Sequence, residues 1–382
     1  MIYLDYSANT PADPAVISRF VETEQSFIGN PNSNHSAGRT AKSALSDITE
    51  SISRKLGIDS SEIIYPSGAS EANNLAIKGI ARTSRHRGKH IISTPLEHAS
   101  VSGPLTYLQE QGYEIDLLDV GRDGKIDLCH LRELLRSDTV LVSVCAVDSE
   151  LGTVQPVSEI AEILKDYPDC RFHVDATQAI GKISFSFAGI DAASFTAHKF
   201  YGLNGSGIFF KRRELVIEPL IHGGVSTTLY RSGTPTLALS AAFDTALGLA
   251  LDNQAERFDT VKLKNTALRR ALSAYPKVRI NSPEDAIPHI LNISVEGVKA
   301  GDFQQALDRA GICVSVKSAC SVEGTPSRAV FAVSRDRKNA LSSWRISLSH
   351  LTSEDEIAQF LEAFDSCYKE LVKCERDWNH IS

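Results

Sequence analysis

Arg171-Phe172-His173-Val174-Asp175-Ala176-Thr177-Gln178 reads as a short buried strand, over 171–174, that ends on an aspartate. A strand of this kind fits the interior of a parallel sheet covered on both faces, and its carboxyl end lies at the rim where open α/β sheets bind ligands. Asp175 either caps a helix that begins at Ala176 or presents its carboxylate to a ligand. Further along, Ser194-Phe195-Thr196-Ala197-His198-Lys199-Phe200-Tyr201-Gly202 makes a second polar strand end. Lys199 lies between a histidine and two aromatic residues and close to the apolar run at 206–210. Partial desolvation there disfavours its ammonium form and leaves an amine nucleophile; the alternative is a solvated lysine at a strand end.

An amine that can form a Schiff base and a carboxylate that can pair with a pyridinium nitrogen, on converging strand ends, point to pyridoxal phosphate. The surrounding chain supports such a crevice. Apolar strands at 90–93, 114–119, 140–147, 171–174, 193–196 and 207–211 alternate with helical patterns at 100–112, 127–136 and 156–167. That alternation predicts right-handed crossovers and a mainly parallel sheet in an α/β unit. Upstream stand helices at 14–27 and 39–56 and a strand at 62–66. Gly29-Asn30-Pro31-Asn32-Ser33-Asn34-His35 is a loop, either a connector or part of a substrate mouth. A long loop follows His222-Gly223-Gly224, then helices at 237–253 and 259–275. The remainder, with strands at 290–295, 312–315 and 344–348 and helices at 302–310 and 353–373, reads as a smaller α+β domain. The expected division is an N-terminal segment (1–15) packed on the small domain, a large domain (16–258) and a small domain (259–382).

The 382 residues are 42% hydrophobic, enough for two cores, and carry a net charge of −7, which gives no support to nucleic-acid binding. No apolar run reaches the roughly 18–20 residues that span a bilayer. The first residues lack the regions of a signal peptide, and seven cysteines without metal-ligand spacing fit reduced thiols, so a cytoplasmic protein without a metal site is expected.

Other strand ends and loops carry candidates. In Ser67-Gly68-Ala69-Ser70-Glu71-Ala72-Asn73-Asn74, small residues at a strand-to-helix junction make either a phosphate cup or a capping turn built on Ser70. Glu97-His98 and Asp148-Ser149-Glu150 follow strands; His98 is either a structural histidine or a ring able to stack on a flat cofactor. Cys320, in a small polar segment near Lys317, is a candidate reactive thiol or an incidental surface cysteine. Arg345, inside an apolar strand pattern, demands an anionic partner, and a substrate carboxylate would serve. The basic run Arg328, Arg335, Arg337 and Lys338 reads as a solvated loop and helix end, or as a docking face for a partner protein.

These pieces, with Tyr3-Leu4-Asp5-Tyr6-Ser7-Ala8, His198-Lys199-Phe200-Tyr201-Gly202, Arg231-Ser232-Gly233-Thr234 and Ser318-Ala319-Cys320, resemble the cysteine desulfurases of the NifS/IscS group. These are fold-type I, class V aminotransferase-like pyridoxal-phosphate enzymes. The resemblance implies a seven-stranded large domain, a homodimer, and conversion of L-cysteine to L-alanine with the sulfur held as a persulfide on Cys320. That sulfur would pass to an acceptor protein for iron–sulfur cluster assembly or tRNA thiolation. The resemblance further implies that Lys199 carries the cofactor, Asp175 pairs with its ring nitrogen, Gln178 reaches its phenolic oxygen and His98 stacks on its ring. Ala69, Ser70, Thr196 and His198 would hold the phosphate, with Thr234 from the second subunit, and Arg345 the substrate carboxylate. Three positions depart from the group: Ser149 replaces an asparagine that faces the phenolic oxygen, Val225-Ser226-Thr227 replaces a Gly-Gln/His-Glu run, and Lys317 replaces a glycine. They keep open a related selenocysteine or C–S lyase, or a weakly active scaffold that docks a sulfur acceptor.

Overall fold

The computed structural model describes residues 1–317 and 325–378. Its twelve described strands are β1 (Ile2–Tyr3), β2 (Ile63–Ile64), β3 (His90–Ser93), β4 (Glu114–Leu117), β5 (Thr139–Cys145), β6 (Arg171–Asp175), β7 (Ala192–Thr196), β8 (Gly207–Lys211), β9 (Val278–Ile280), β10 (Ile290–Val295), β11 (Ile312–Cys313) and β12 (Ser343–Ser347). Seven of them form one sheet in the order β2-β8-β7-β6-β5-β3-β4. Neighbours are parallel from β4 through β7, and β8 alone runs against the rest. Adjacent apolar residues face opposite ways. Ile91, Leu141 and Phe209 join one core, while Ile92, Val142 and Phe210 join the other, so helices cover both faces.

The chain leaves β3 for β4 on one side and returns to β5 on the other. That reversal opens a crevice at the carboxyl ends of β3 and β5, where α/β sheets take their ligands. A separate core of Trp344, Phe303, Phe360 and Phe364 lies beneath β9, β10 and β12. Each fully buried ring there contributes about 2 kcal/mol of hydrophobic stabilisation. The first strand does not join the large sheet: β1 pairs in parallel with β11, and Ser347 of β12 donates its N–H to Leu4 O at 2.7 Å.

Several elements differ from expectation. The strand read at 62–66 shrinks to Ile63–Ile64 because Asp59 and Glu62 close a capping box just before it. The pattern at 312–315 forms a strand only over Ile312–Cys313, with Ser315 making an isolated antiparallel bridge to Arg345 of β12. Helices Leu237–Asp252 and Gln254–Leu272 are separated by Asn253 alone. Edge strand β9, with only three residues, lacked a readable period. The basic run is not a loop: it lies on and between the short helices Arg328–Ser334 and Arg337–Leu341, capped by Ser327 and Asp336. Among the described residues no helix is long and apolar enough to cross a membrane.

Candidate active site

The carboxyl ends of β3, β5, β6 and β7 deliver His98, Ser149, Asp175 and Lys199 to one cavity of about 350 Å³. Ala69, Ser70, Gln178, Thr196, His198 and Arg345 share its lining.

Asp175 is buried at the last residue of β6 and accepts from Asn73 Nδ2 at 2.8 Å and from the Thr177 N–H at 3.0 Å. The amide of Asn73 also donates to Ser100 Oγ at 2.9 Å, and that hydroxyl lies 2.8 Å from His98 Nδ1. Because Nδ1 also accepts the Ser100 N–H at 3.1 Å, the ring proton resides on Nε2. Burial holds the His98 pKa below its usual value, although nearby Asp175 opposes the shift. Behind this chain Glu97 is buried, accepting from Thr94 Oγ1 and the Cys145 N–H at 2.8 Å each. Burial pushes its carboxyl up to about 8, so it is mostly protonated near neutral pH.

The small-residue turn after β2 resolves against the capping alternative. Gly68, not Ser70, is the N-cap of the helix Ala69–Ser84, and no side chain caps it, which leaves first-turn N–H groups open to an anion. Gly68 takes φ +157°, and a Cβ added at Gly207 would lie 2.7 Å from Gly68 Cα, so both glycines are needed for the two backbones to meet. Thr196 Oγ1 donates to Ser206 O at 2.8 Å and stands 3.1 Å from His198 Nδ1. Burial, and then the charge of Lys199, lower the His198 pKa to about 4, so this ring is neutral. Glu71, in the same first turn, also lines the cavity, and its carboxylate accepts the Ser67 N–H at 2.8 Å and pairs with Arg231 at 3.0 Å.

Lys199 ends the short turn after β7. It is half-buried, and its Nζ donates to the carbonyls of Ser7 at 2.9 Å and Ala8 at 2.5 Å. Gln178 Nε2 donates to the same Ser7 O at 3.0 Å. Thr10 ties this strap down, donating to His198 O and accepting the Tyr201 N–H at 2.8 Å. Ser7 and Ala8 therefore wall the site, which their sequence as a turn did not indicate.

Arg345 projects from β12 with its side chain 3% exposed. The anion that its burial demands is Asp5, 2.8 Å from Nη2; Nη1 donates to Ser149 O at 2.7 Å, and Nε has no hydrogen-bond partner. Asp5 also accepts from Ser315 Oγ at 2.9 Å. Next to Ser149, burial and the Glu150 charge raise the Asp148 carboxyl to about 7.

Not every candidate lies here. Thr234 is exposed and does not line the cavity. No residue of 29–35 lines it either; Asn32 bonds to Ser226 in the long loop. Cys320 lies outside the described residues. On the near side of that segment Lys317 donates to Thr325 O at 2.5 Å and Thr325 Oγ1 at 2.8 Å, and burial lowers its pKa. Arg328, from the basic run, is exposed, as a solvated run implies, and also donates to Glu97 O and Ser102 Oγ. Sequence reasoning missed Asp5, Ser7, Asn73 and Ser100; the first three were signalled only by their places in quoted motifs, and Ser100 only by standing two residues after His98.

Residues 2–360 match the family model described as Aminotransferase class-V. The chain is 36% identical to a NifS/IcsS protein homolog of Lactobacillus delbrueckii subsp. bulgaricus over 100% of both chains. It is 35% identical to the cysteine desulfurase IscS of Dictyoglomus turgidum over 97% of this chain and 95% of that one. A solved NifS-like protein superposes with a TM-score of 0.90 at 33% identity, covering 97% of this chain and 100% of its own. The converging strand ends, the open helix N-terminus and these matches agree: the chain belongs to the class V aminotransferase family.

Proposed function

We propose that this chain is a pyridoxal-phosphate-dependent cysteine desulfurase that takes sulfur from L-cysteine, releases L-alanine and hands the sulfur to an acceptor protein. The observation that carries the reading is the convergence of an amine, a buried carboxylate, an uncapped helix N-terminus and a buried arginine on one cavity. The cavity suits a flat ring bearing an aldehyde and a phosphate: the open N–H groups of the first helical turn, with Thr196 and His198, suit the phosphate. Asp175, fixed by Asn73, suits the pyridine nitrogen. When bound, the cofactor supplies an electron sink for the pair released at the substrate Cα.

The chain's own groups do the rest. The Lys199 amine, held by Ser7 O and Ala8 O, stands where it can take and return the Cα proton. His98 presents Nε2–H to the cavity, its other nitrogen fixed by Ser100. Arg345 holds the carboxylate through the N–H groups not taken by Asp5 and Ser149. The Cys320 thiolate attacks the substrate sulfur; the new S–S bond forms as the Cβ–S bond breaks, and the pair left on Cβ takes a proton to give alanine. Cysteine and the thiol thus become alanine and a persulfide, with no outside oxidant. Thr234 would reach the phosphate of a second subunit in a homodimer, and the absence of a spanning helix among the described residues fits a cytoplasmic protein.

Ser149 favours a second reading, a lyase acting on selenocysteine or another sulfur amino acid, because its hydroxyl is shorter than the amide expected there. One experiment separates the two: anaerobic single turnover with L-cysteine, following alanine and the intact mass, with Cys320→Ala alongside. Stoichiometric alanine and a gain of about 32 Da, one sulfur atom, on Cys320, both lost in the variant, support the desulfurase. Alanine release that persists in Cys320→Ala overturns it in favour of the lyase.

A further inference from the structure

Lys182 takes no part in the chemistry above, yet it lies buried four residues beyond Gln178, across a turn that Gly181 completes at φ +77°. Its Nζ donates to Gln178 Oε1. On the other side of Lys182 is a small cavity of about 20 Å³, lined also by Tyr6, Arg257, His289 and His350 and, among the described residues, by no carboxylate. His289 Nδ1, buried there, has no hydrogen-bond partner. The charged and titratable groups that face Lys182 are thus Lys199, Arg345, Arg257 and the two histidines, and burial with the charges of Lys199 and Arg345 drives its pKa well down. A buried amine without a counter-ion is costly, and its one hydrogen bond is to the amide.

That hydrogen bond and the one to Ser7 O agree on which way the amide points: Ser7 O can only accept, so Nε2 must face Ser7, and Lys182 offers N–H groups that hold Oε1 on the opposite side. Of the two Nε2 hydrogens one goes to Ser7 O, and the other is left for the cavity that Gln178 lines. We propose that Lys182 is a positioning residue that locks the N–H edge of Gln178 toward the cavity, making Gln178 the donor to the phenolic oxygen of the bound cofactor where Ser149 is too short to serve. This rests on the pyridoxal-phosphate reading and on Gln178 being the neighbour of that oxygen.

The test uses holoenzyme and the pH titration of the visible absorption of the lysine-bound cofactor. A hydrogen bond to the phenolic oxygen stabilises its anion and lowers the titration midpoint. Lys182→Met is expected to raise the midpoint by about one pH unit, Gln178→Leu by at least as much, and the double variant by no more than Gln178→Leu alone. Lys182→Gln, whose amide can still donate to Oε1, is expected to restore the wild-type midpoint, and Lys182→Leu takes the place of Lys182→Met if the latter does not fold. An unmoved midpoint in Lys182→Met beside a shift in Gln178→Leu, or additive shifts in the double variant, overturns the inference while leaving the cofactor reading intact. No shift in either single variant overturns the assignment of Gln178 itself, and the inference with it.

Discussion

At one end of the cavity Asp175 closes β6, and Lys199 and the turn Ser67–Ser70 follow β7 and β2 within a few residues, so the large sheet sets their backbone positions, although Asn73, Ser7 O and Ala8 O then hold the side chains of Asp175 and Lys199. At the other end Arg345 is held by Asp5 and by the carbonyl of Ser149, partners 340 and 196 residues away. The first end takes its backbone from one sheet; the second exists only once the N-terminal segment, the loop after β5 and the small three-stranded sheet have come together. Long-range assembly of this kind makes the proposed substrate end the more sensitive to remote change, while the proposed cofactor end is sensitive mainly to the groups themselves.

The largest expected effect tests the strand-built end. Lys199→Ala should lower alanine release by at least about 10³-fold while added pyridoxal phosphate still binds, read by dialysis and absorbance; near-normal turnover would remove Lys199 from the chemistry. At the assembled end, Asp5→Asn frees the Arg345 fork from the one carboxylate that pairs with it among the described residues, while keeping its shape. KM for L-cysteine should rise about tenfold with kcat little changed, and an unchanged KM would mean that the N-terminal segment does not orient Arg345.

Glu97 offers a pH test of the strand-built end. Its carboxyl is raised to about 8 in the folded protein, against about 4.3 for an ordinary glutamate. Between those values the native state keeps a proton that the unfolded chain has released, so stability falls as pH rises from about 5 to about 8. Glu97→Gln cannot titrate. Its melting temperature should therefore gain on the wild type steadily across that window, and parallel melting curves would show that Glu97 is ionised in the fold. The smallest effect is expected from Ser149→Asn, which restores a longer amide where the two ends meet. A change of about two- to threefold in turnover would mark the hydroxyl as a working substitute, and a much larger gain would mark it as a defect.

The parallel sheet and the positions of Asp175, His98 and Lys199 were legible because each follows an apolar run whose end must lie at the sheet rim. Asn73 and Ser100 were not, since 102 residues separate Asn73 from the carboxylate it fixes. Arg345 was legible only as a demand for an anion; that the demand is met by Asp5 could not be read, because a two-residue strand at the start of a chain has no period to betray its partner. At Ser70 the sequence left a capping turn and a phosphate cup open: the N-cap is Gly68, at φ +157° and close against Gly207, and Ser70 lines the cavity.

By itself, then, the sequence determined the alternation of strands and helices, the chemical groups at the strand ends and the family whose motifs they form, because these depend on side-chain type and on spacing within one element. The tertiary structure alone decided which distant groups satisfy them: Ser7 O for Lys199, Asp5 for Arg345, Asn73 for Asp175 and Lys182 for Gln178. The physical reason is that a buried polar group must find a partner wherever the packed chain provides one, and no local pattern records where that is.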